Sequence, residues 1–206
     1  MLRVVALACV RGEQPLFSNL SFDLDGGELL WVEGENGSGK TSLLRILAGL
    51  AAAESGAVAW RGQPARGLGE DFTRELLFLG HANGLKDDLT VTENLRFAAR
   101  LGGFPADPAA VAAAIASVGL SHRAHLAVRL LSQGQRRRAA LARLWLDRSR
   151  ALWILDEPFA ALDVDSIDRL AARIATHLDA GGAAVLTSHQ DVAVAARRTQ
   201  RLRLAG

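Results

Sequence analysis

A glycine-rich octapeptide near the start of the chain has the residue types and the spacing needed to bind phosphate. Its residues are Gly34, Glu35, Asn36, Gly37, Ser38, Gly39, Lys40 and Thr41. Glycines let the main chain wrap so that its N–H groups face phosphate oxygens, and the start of a following helix adds positive potential. In this motif the lysine reaches the β- and γ-phosphates and the threonine hydroxyl binds Mg²⁺. The motif predicts a site for ATP with Mg²⁺, and Ser42 is included in it.

Two adjacent acids, Asp156 and Glu157, follow an apolar run later in the chain. Because successive strand residues point to opposite sides, the two carboxylates can have different roles. Asp156 is predicted to hold Mg²⁺ through water, and Glu157 to polarise the attacking water as a general base. The alternative is that both acids are solvated at a strand exit. The phosphate loop upstream favours the catalytic interpretation.

A parallel β-sheet is predicted to position these motifs. Residues 29–32 are continuously apolar, which is typical of a strand buried on both faces, and residues 151–155 and 183–187 have the same character. A helix is predicted from Lys40 to about Ala48, closed by Gly49. The phosphate loop therefore lies between a buried strand and a helix.

Two further segments, 16–24 and 56–60, are predicted to be strands of an antiparallel layer near the N-terminus. The fold class predicted is α/β: a phosphate-loop nucleoside triphosphatase core with a parallel sheet, this antiparallel layer, and a helical sub-domain inserted at about 82–145. The whole chain, 1–206, is predicted to be a single domain.

The inserted segment carries three helix-start signals. Thr90–Glu93 is a capping-box pattern before a helix to Leu101. Asp107 and Pro108 offer an N-cap and a first-turn proline for an alanine-rich helix that stops near Gly119. Ser132 is predicted to cap a helix running to about Trp145. A further helix is expected over 166–178.

Composition limits the possible partners. The net charge is only +2, which is weak evidence for nucleic-acid binding, and no nucleic-acid partner is predicted. The single Cys9 excludes an intramolecular disulfide and a cysteine-rich metal site. The longest uncharged stretch, 108–121, falls short of the roughly 20 residues that a membrane-spanning helix needs. The chain is expected to be soluble and to work at a membrane only through a partner.

The pentapeptide Leu-Ser-Gln-Gly-Gln at 131–135 resembles the LSGGQ signature of the ABC ATPases, with Gln133 in place of the middle glycine. The resemblance implies that Ser132 and Gly134 contact the γ-phosphate of ATP held by a second copy of the chain, and that Gln135 belongs to the same site. It therefore implies a homodimer with ATP sandwiched between the subunits.

Other positions match the ABC ATPases in order along the chain. Asp163 lies where that family has its D-loop, and His189 where a switch histidine contacts the γ-phosphate. Two positions depart from the pattern. His81 replaces a glutamine and is expected to reach Mg²⁺ or the attacking water. Arg11 occupies the slot of an aromatic residue that stacks on adenine, which a guanidinium can also do.

Three consecutive arginines, Arg136, Arg137 and Arg138, follow the signature. Consecutive helix residues point about 100° apart, so they cannot form one basic stripe. We interpret them as structural or phosphate-adjacent.

Several local features resemble the ATPase subunits of the bacterial haem exporters of cytochrome c maturation. They are Gly80-His81, the run from Ala142 to Leu146, the run from Leu152 to Phe159, and Ser188-His189-Gln190. The resemblance implies a peripheral protein on the cytoplasmic face of the inner membrane, with integral haem-handling permease subunits as partners and a periplasmic haem chaperone. ATP hydrolysis would serve either movement of haem or a conformational signal that releases the chaperone.

Two alternatives stay open at this point. One is an ABC ATPase for another cargo or for mechanical signalling, which shares every catalytic residue named above. The other is a monomeric phosphate-loop kinase, which would have no use for the signature at 131–135.

Overall fold

Two β-sheets organise the part of the chain that the computed structural model describes, residues 1–65, 69–103, 107–147 and 149–204. The strands are β1 (Leu2–Arg11), β2 (Gln14–Leu24), β3 (Glu28–Glu33), β4 (Ser55–Trp60), β5 (Gln63–Pro64), β6 (Leu76–Leu79), β7 (Leu152–Leu155), β8 (Ala183–Thr187) and β9 (Arg198–Arg203). The α-helices with described bounds are α1 (Lys40–Leu47), α2 (Glu70–Glu75), α3 (Val91–Leu101), α4 (Pro108–Ser117), α5 (Gln133–Leu141), α6 (Arg143–Leu146) and α7 (Val164–Asp179).

The larger sheet has the strand order β6-β7-β8-β3-β9, and its neighbouring strands pair in parallel. The central strands β7 and β8 are fully buried along their length, which explains why their sequences are continuous apolar runs. The parallel core predicted from these runs is confirmed. Because parallel strands end at the same edge, the residues after β3, β7 and β8 are brought together there.

The smaller sheet has the order β2-β1-β4-β5 and is antiparallel. One hydrophobic cluster joins both sheets through α1, which buries Leu43, Leu44 and Leu47 between them. The antiparallel layer predicted near the N-terminus is therefore confirmed, and it supports α1 from the side opposite the parallel sheet's strands β3, β7 and β8.

The middle helices begin where their capping patterns predicted. Thr90 and Glu93 form both hydrogen bonds of a capping box at the start of α3. Asp107 accepts hydrogen bonds from two first-turn N–H groups of α4. A separate hydrophobic cluster joins α3, α4, α5 and α6, so these helices have a core of their own.

The helix after Ser132 is shorter than the sequence suggested. We expected it to reach Trp145, but α5 ends at Leu141, and Arg143–Leu146 forms the separate short helix α6. The Arg143 guanidinium donates to the Ala140 carbonyl, and Trp145 N–H bonds Ala142 at a spacing of three residues. These two bonds take carbonyls that a continuous α-helix would use otherwise, so the helix is interrupted at Ala142.

Helix α2 and strand β9 carry no clear signal in the sequence. Strand β9 has the sequence Arg-Thr-Gln-Arg-Leu-Arg and lies at the edge of the parallel sheet beside β3. An edge strand has a neighbour on one side only, and charged residues are typical there. Because β9 is polar, it lacks the apolar run by which the buried strands of this sheet are predicted.

Candidate active site

The phosphate loop follows β3 and turns on two glycines whose conformations exclude a side chain. At Gly34 φ is +152°, and a Cβ there would lie 2.5 Å from Ser38 Oγ. At Gly39 φ is +97°, and a Cβ would lie 3.0 Å from the Cβ of Leu16. Glycine is therefore required at both positions for the loop to close against β2 and its own helix.

Lys40 is folded back across the loop. Its ammonium group donates to the carbonyl oxygens of Gly34 at 2.7 Å and Glu35 at 3.0 Å, and the residue is almost fully buried. The positive charge is thus held above the ring of main-chain amides. Gly39 is the N-cap of α1 and has no side chain that could cap it. The first N–H groups of that helix therefore stay available for an anion bound by the loop. Together these groups form an anion-binding concavity.

Asp156 lies at the carboxyl end of β7 and is 2% exposed. Its two carboxylate oxygens accept hydrogen bonds from two hydroxyls, Thr41 Oγ1 at 2.9 Å and Thr187 Oγ1 at 2.8 Å. Thr41 and Asp156 are 115 residues apart in the sequence, so only the topology brings them together. A hydroxyl and a carboxylate at this separation fit Mg²⁺, which takes one or two protein oxygens and leaves the remaining positions to water and phosphate.

No cluster of three or more acidic, histidine or cysteine side chains that could hold a metal occurs within residues 1–65, 69–103, 107–147 and 149–204. An all-protein metal cage is thus not formed by these residues. The Thr41–Asp156 pair instead matches a cation held jointly by protein and phosphate.

Glu157 has a strained main chain. Its φ is +50°, in the left-handed region that residues with a side chain rarely adopt. Its N–H donates to Thr187 Oγ1 at 2.8 Å, and its carbonyl oxygen accepts from Arg137 Nη2 at 2.7 Å. These two bonds fix the peptide groups on both sides of the residue. Strain of this kind is typical of active sites, where the surrounding structure maintains it.

The Glu157 side chain is positioned to act on a molecule beside it. Its Oε1 is buried and has no hydrogen-bond partner among the described residues. His189 Nε2 lies 3.6 Å from Oε1, beyond hydrogen-bond distance, and the His189 side chain is 57% exposed. A buried carboxylate oxygen without a donor is costly unless a ligand or water supplies one. This arrangement suits a general base that binds a water molecule.

Most of the predicted site residues line one cleft of 520 Å³. They are Arg11, Asn36, Gly37, Gly39, Lys40, Thr41, Ser42, His81, Asp156, Glu157 and His189. Gly34 and Glu35 line an adjoining cleft that also contains His189. Ser38 is buried within the loop, and its hydroxyl has no hydrogen-bond partner among the described residues. The phosphate loop and the acid pair are therefore parts of a single site.

The signature residues do not belong to that cleft. Ser132 and Gln135 form a reciprocal capping box at the start of α5. Gly134 packs closely on the main chain after Glu157, since a Cβ there would lie 2.8 Å from the Ala161 carbonyl oxygen. Asp163 caps α7, and hydrogen bonds from Ser166 hold the pKa of its carboxyl below the ordinary value. These residues therefore lie outside the cleft that contains the phosphate loop and the acid pair.

Two residues at the site were missed by the sequence reasoning. Thr187 was assigned only to the end of a strand, yet its hydroxyl joins Asp156 to the Glu157 N–H. A polar residue at the carboxyl end of a buried parallel strand is a signal that could have identified it. Arg137 was grouped with its neighbours, and its contacts with the main chain at 156–157 depend on tertiary structure alone.

The three arginines after the signature point in different directions, as predicted. Arg136 bonds the carbonyls of Leu131 and Arg129, and Arg138 bonds that of Val118. Arg137 turns the opposite way, into the protein. The interpretation that they do not form one basic stripe is confirmed.

Comparison with known sequences identifies relatives of the chain over nearly its whole length. Residues 17–160 match the family model of the ABC transporters. The chain is 50% identical over 204 residues to the cytochrome c biogenesis ATP-binding export protein CcmA of Dechloromonas aromatica (strain RCB), covering 99% of this chain and 100% of the relative. To the protein of the same name from Escherichia coli O157:H7 it is 47% identical over 204 residues, covering 99% and 96%.

Comparison with solved structures gives the same fold. An ATP-binding subunit of an ABC transporter aligns with a TM-score of 0.80 at 25% identity, covering 92% of this chain and 79% of the other. An ATP-binding cassette solved as a dimer in a post-hydrolysis state, bound to ADP and Pi, aligns with a TM-score of 0.83 at 22% identity, covering 100% and 97%. The chain belongs to the ABC transporter ATPases and, within them, to the family of cytochrome c biogenesis ATP-binding export proteins CcmA.

Proposed function

We propose that this chain is the ATP-hydrolysing subunit of a haem exporter in cytochrome c biogenesis. The observation that carries the catalytic part is the hydrogen bond between Thr41 and Asp156, which unites the phosphate loop and the acid pair in one cleft. The relatives named for cytochrome c biogenesis and export, about half identical over the whole chain, support the cellular role. Haem as the cargo is supported by the resemblance of the local motifs around residues 80 and 152–159.

In this proposal each residue of the cleft has a defined role. Lys40 exchanges its bonds to the loop carbonyls for the β- and γ-phosphates. Thr41 and Asp156 hold Mg²⁺, which when bound neutralises the charge that develops on the phosphates. Glu157 orients the attacking water and accepts its proton, and His189, whose Nε2 lies 3.6 Å from that carboxylate, contacts the γ-phosphate.

The main-chain amides of the phosphate loop supply the remaining contacts. Gly34, Glu35, Asn36, Gly37, Ser38, Gly39 and Ser42 wrap the phosphate groups in this proposal. Arg11 lines the cleft beside Leu16 and stacks its guanidinium on adenine. His81 lines the same cleft and reaches toward the attacking water.

A second copy of the chain completes the site. Ser132, Gly134 and Gln135 form the exposed start of α5, and their position outside the cleft supports a role on the ATP of a partner subunit. Asp163, on the adjoining start of α7, reaches the same interface. The arrangement is an isologous homodimer with two identical sites. Each subunit is one cassette, 1–206, with a helical sub-domain at about 82–145.

A membrane partner is proposed to dock on the helical side of the molecule. A groove of 280 Å³ lies between the end of α3 and the loop after His81, and its rim carries Phe97 and Leu101, which are 42% and 74% exposed. Exposed apolar side chains of this size are typical of interaction sites. Among the described residues, no helix combines the length and the apolar character of a membrane span. The relatives named as export proteins are the reason that we place the chain at the cytoplasmic face of the inner membrane, held by integral permease subunits.

The alternatives now have unequal support. A monomeric phosphate-loop kinase is excluded by family membership. An ABC ATPase for another cargo, or a mechanical-signalling ABC complex, shares the same cleft, and the relatives' names, which give cytochrome c biogenesis and export, favour haem delivery or haem-chaperone release over it.

The test is a haem stain of c-type cytochromes in a bacterium that lacks its own copy of this subunit. Cells carry either this chain or its Lys40→Ala form at equal abundance. We expect Lys40→Ala to reduce covalently bound haem by about 100-fold or more, because the γ-phosphate loses its main cationic partner. The control is Arg74→Ala, which removes a surface ion pair to Glu70 only and should stain like the unaltered chain.

The possible results distinguish the haem assignment from the ATPase assignment. If staining persists with Lys40→Ala while the purified variant has lost ATP turnover, the haem assignment fails and the ATPase stands. In that case the cargo has to be sought from the permease that co-purifies with the chain. If the unaltered protein does not turn over ATP with its membrane partners present, the catalytic assignment fails.

A further inference from the structure

Arg137 joins three segments of the chain beneath the active site. It lies on α5 and is 5% exposed. Its Nη2 donates to the carbonyl oxygens of Asp156 at 2.8 Å and Glu157 at 2.7 Å. Its Nη1 donates to Asn83 Oδ1 at 3.1 Å. The guanidinium therefore connects the signature helix, the loop that carries His81, and the strand exit that carries the acid pair.

Stability alone does not account for a charge at this position. The acceptors within hydrogen-bond distance are neutral carbonyls and an amide, and Nε has no hydrogen-bond partner among the described residues. Burial lowers the pKa of the guanidinium, and the nearby Asp156 and Glu157 carboxylates only partly oppose this. A buried charge with incomplete pairing usually stabilises a fold less than an apolar residue of similar size. The contacts of Arg137 are better explained by what they hold in place.

The group held in place is Glu157. Its left-handed main chain, with φ at +50°, persists because Thr187 binds its N–H and Arg137 binds its carbonyl oxygen. We infer that Arg137 is a positioning residue for ATP hydrolysis, which fixes the main chain of Glu157 and ties it to the signature helix. This inference rests on the proposed role of Glu157 as general base.

The position of Arg137 on α5 gives this contact a second consequence. Ser132 and Arg137 belong to the same helical segment, with Ser132 at its N-cap. Arg137 therefore connects the helix that carries Ser132 to the main chain of Glu157 within one chain.

The experiment compares Arg137→Gln and Arg137→Lys with the unaltered chain in complex with its membrane partners. We expect Arg137→Gln to lower kcat for ATP about 10- to 100-fold while KM changes by less than about twofold, because a small displacement of a catalytic group costs rate and not binding. Arg137→Lys keeps a donor for one of the carbonyls and should recover part of kcat. If Arg137→Gln does not fold, the inference is tested with Arg137→Lys alone, which should lose part of kcat while keeping a normal melting temperature.

Arg173→Gln is the matched control. Arg173 is half-buried and also donates to two main-chain carbonyls, those of Leu144 at 3.0 Å and Asp147 at 2.8 Å, but it lies on α7 away from the cleft. It should lower the melting temperature as much as Arg137→Gln and leave kcat unchanged. Equal loss of kcat in both variants, or an unchanged kcat in Arg137→Gln, overturns the inference while the ATPase assignment stands. An unaltered chain without turnover overturns both.

Discussion

Strand β7 carries two buried polar networks, one at its carboxyl end and one along its length, and they are built differently. At the end, Asp156 and Glu157 meet Thr187 and Arg137. Along the strand, Trp153 donates to Asp147 at 2.5 Å, and its ring stacks on His177 with centroids 3.9 Å apart and planes at 3°. His177 in turn donates to the Ala183 carbonyl at 3.1 Å.

The two networks differ in whether every buried polar atom has a hydrogen-bond partner. In the Trp153 network the side chains of Trp153, Asp147 and His177 each have a hydrogen-bond partner, and the stacked rings are held by regular strand and helix geometry. In the Glu157 network a carboxylate oxygen has no hydrogen-bond partner among the described residues and a residue with a side chain is held at positive φ. Satisfied, relaxed networks stabilise a fold, whereas strain and unpaired atoms indicate where a ligand acts.

The largest effect that this contrast predicts is that of Glu157→Gln. The amide cannot accept a proton from water, so ATP turnover should fall about 1,000-fold, within the range for loss of a general base. ATP binding should persist, because the phosphate loop and Asp156 are unchanged. Steady-state turnover, together with the ATP-dependent dimer seen by size-exclusion chromatography, measures both.

Glu75→Gln is the control for this change, since Glu75 pairs with Arg61 at the surface and lies outside the cleft. It should turn over ATP at the normal rate. A Glu157→Gln variant that hydrolyses ATP normally, or that stays monomeric with ATP, contradicts the catalytic role of Glu157 and the difference between the two networks of β7.

A smaller effect is expected from Thr187→Val. This fully buried hydroxyl donates to Asp156 and accepts from the Glu157 N–H, and valine has nearly the same shape. Turnover should fall about tenfold, because one of the two bonds that fix Glu157 is lost. The buried N–H left without an acceptor should also lower the free energy of unfolding by about 1–3 kcal/mol, measured by urea titration.

Thr176→Val is the matched substitution in α7, where the hydroxyl donates only to Ala172 on an exposed helix face. It should change neither turnover nor stability appreciably. If Thr187→Val loses stability but keeps full turnover, the carboxyl-end network is structural like that of Trp153, and the contrast between the two networks fails.

The features that could be predicted from the sequence are those that depend on residues close together in the chain. The eight residues of the phosphate loop at 34–41 are consecutive, and their glycines are required by their own φ angles. The capping box joins Thr90 to Glu93, three positions further along the chain, and forms as predicted. The apolar strands 152–155 and 183–187 follow from burial on both faces.

The parts that could not be predicted depend on which distant segments meet. Thr187 acts on Asp156 across 31 residues, and Arg137 on Asp156 across 19, and neither spacing has a sequence signature. The end of α5 was misplaced because the Arg143 side chain competes for a helix carbonyl, which helix propensity does not include. The roles assigned to His81, Arg11 and Asp163 remain predictions that depend on bound nucleotide and a partner subunit.

His177→Gln should affect stability alone. Burial lowers the pKa of His177 from 6.5 to about 4, although the bond to Ala183 opposes this. Between those two pH values the unfolded chain binds a proton that the folded chain does not, so stability falls as pH falls and is fully present above about 6.5. From pH 7.5 to pH 5 the unaltered chain should lose about 2 kcal/mol more than His177→Gln, measured by urea titration at each pH. ATP turnover at pH 7.5 should be equal in the two proteins, because none of Asp147, Trp153 and His177 lines the cleft. A loss of turnover in His177→Gln at a preserved melting temperature would show that the two networks of β7 are coupled. The distinction between a catalytic network at the carboxyl end of β7 and a stabilising network along the strand would then be wrong.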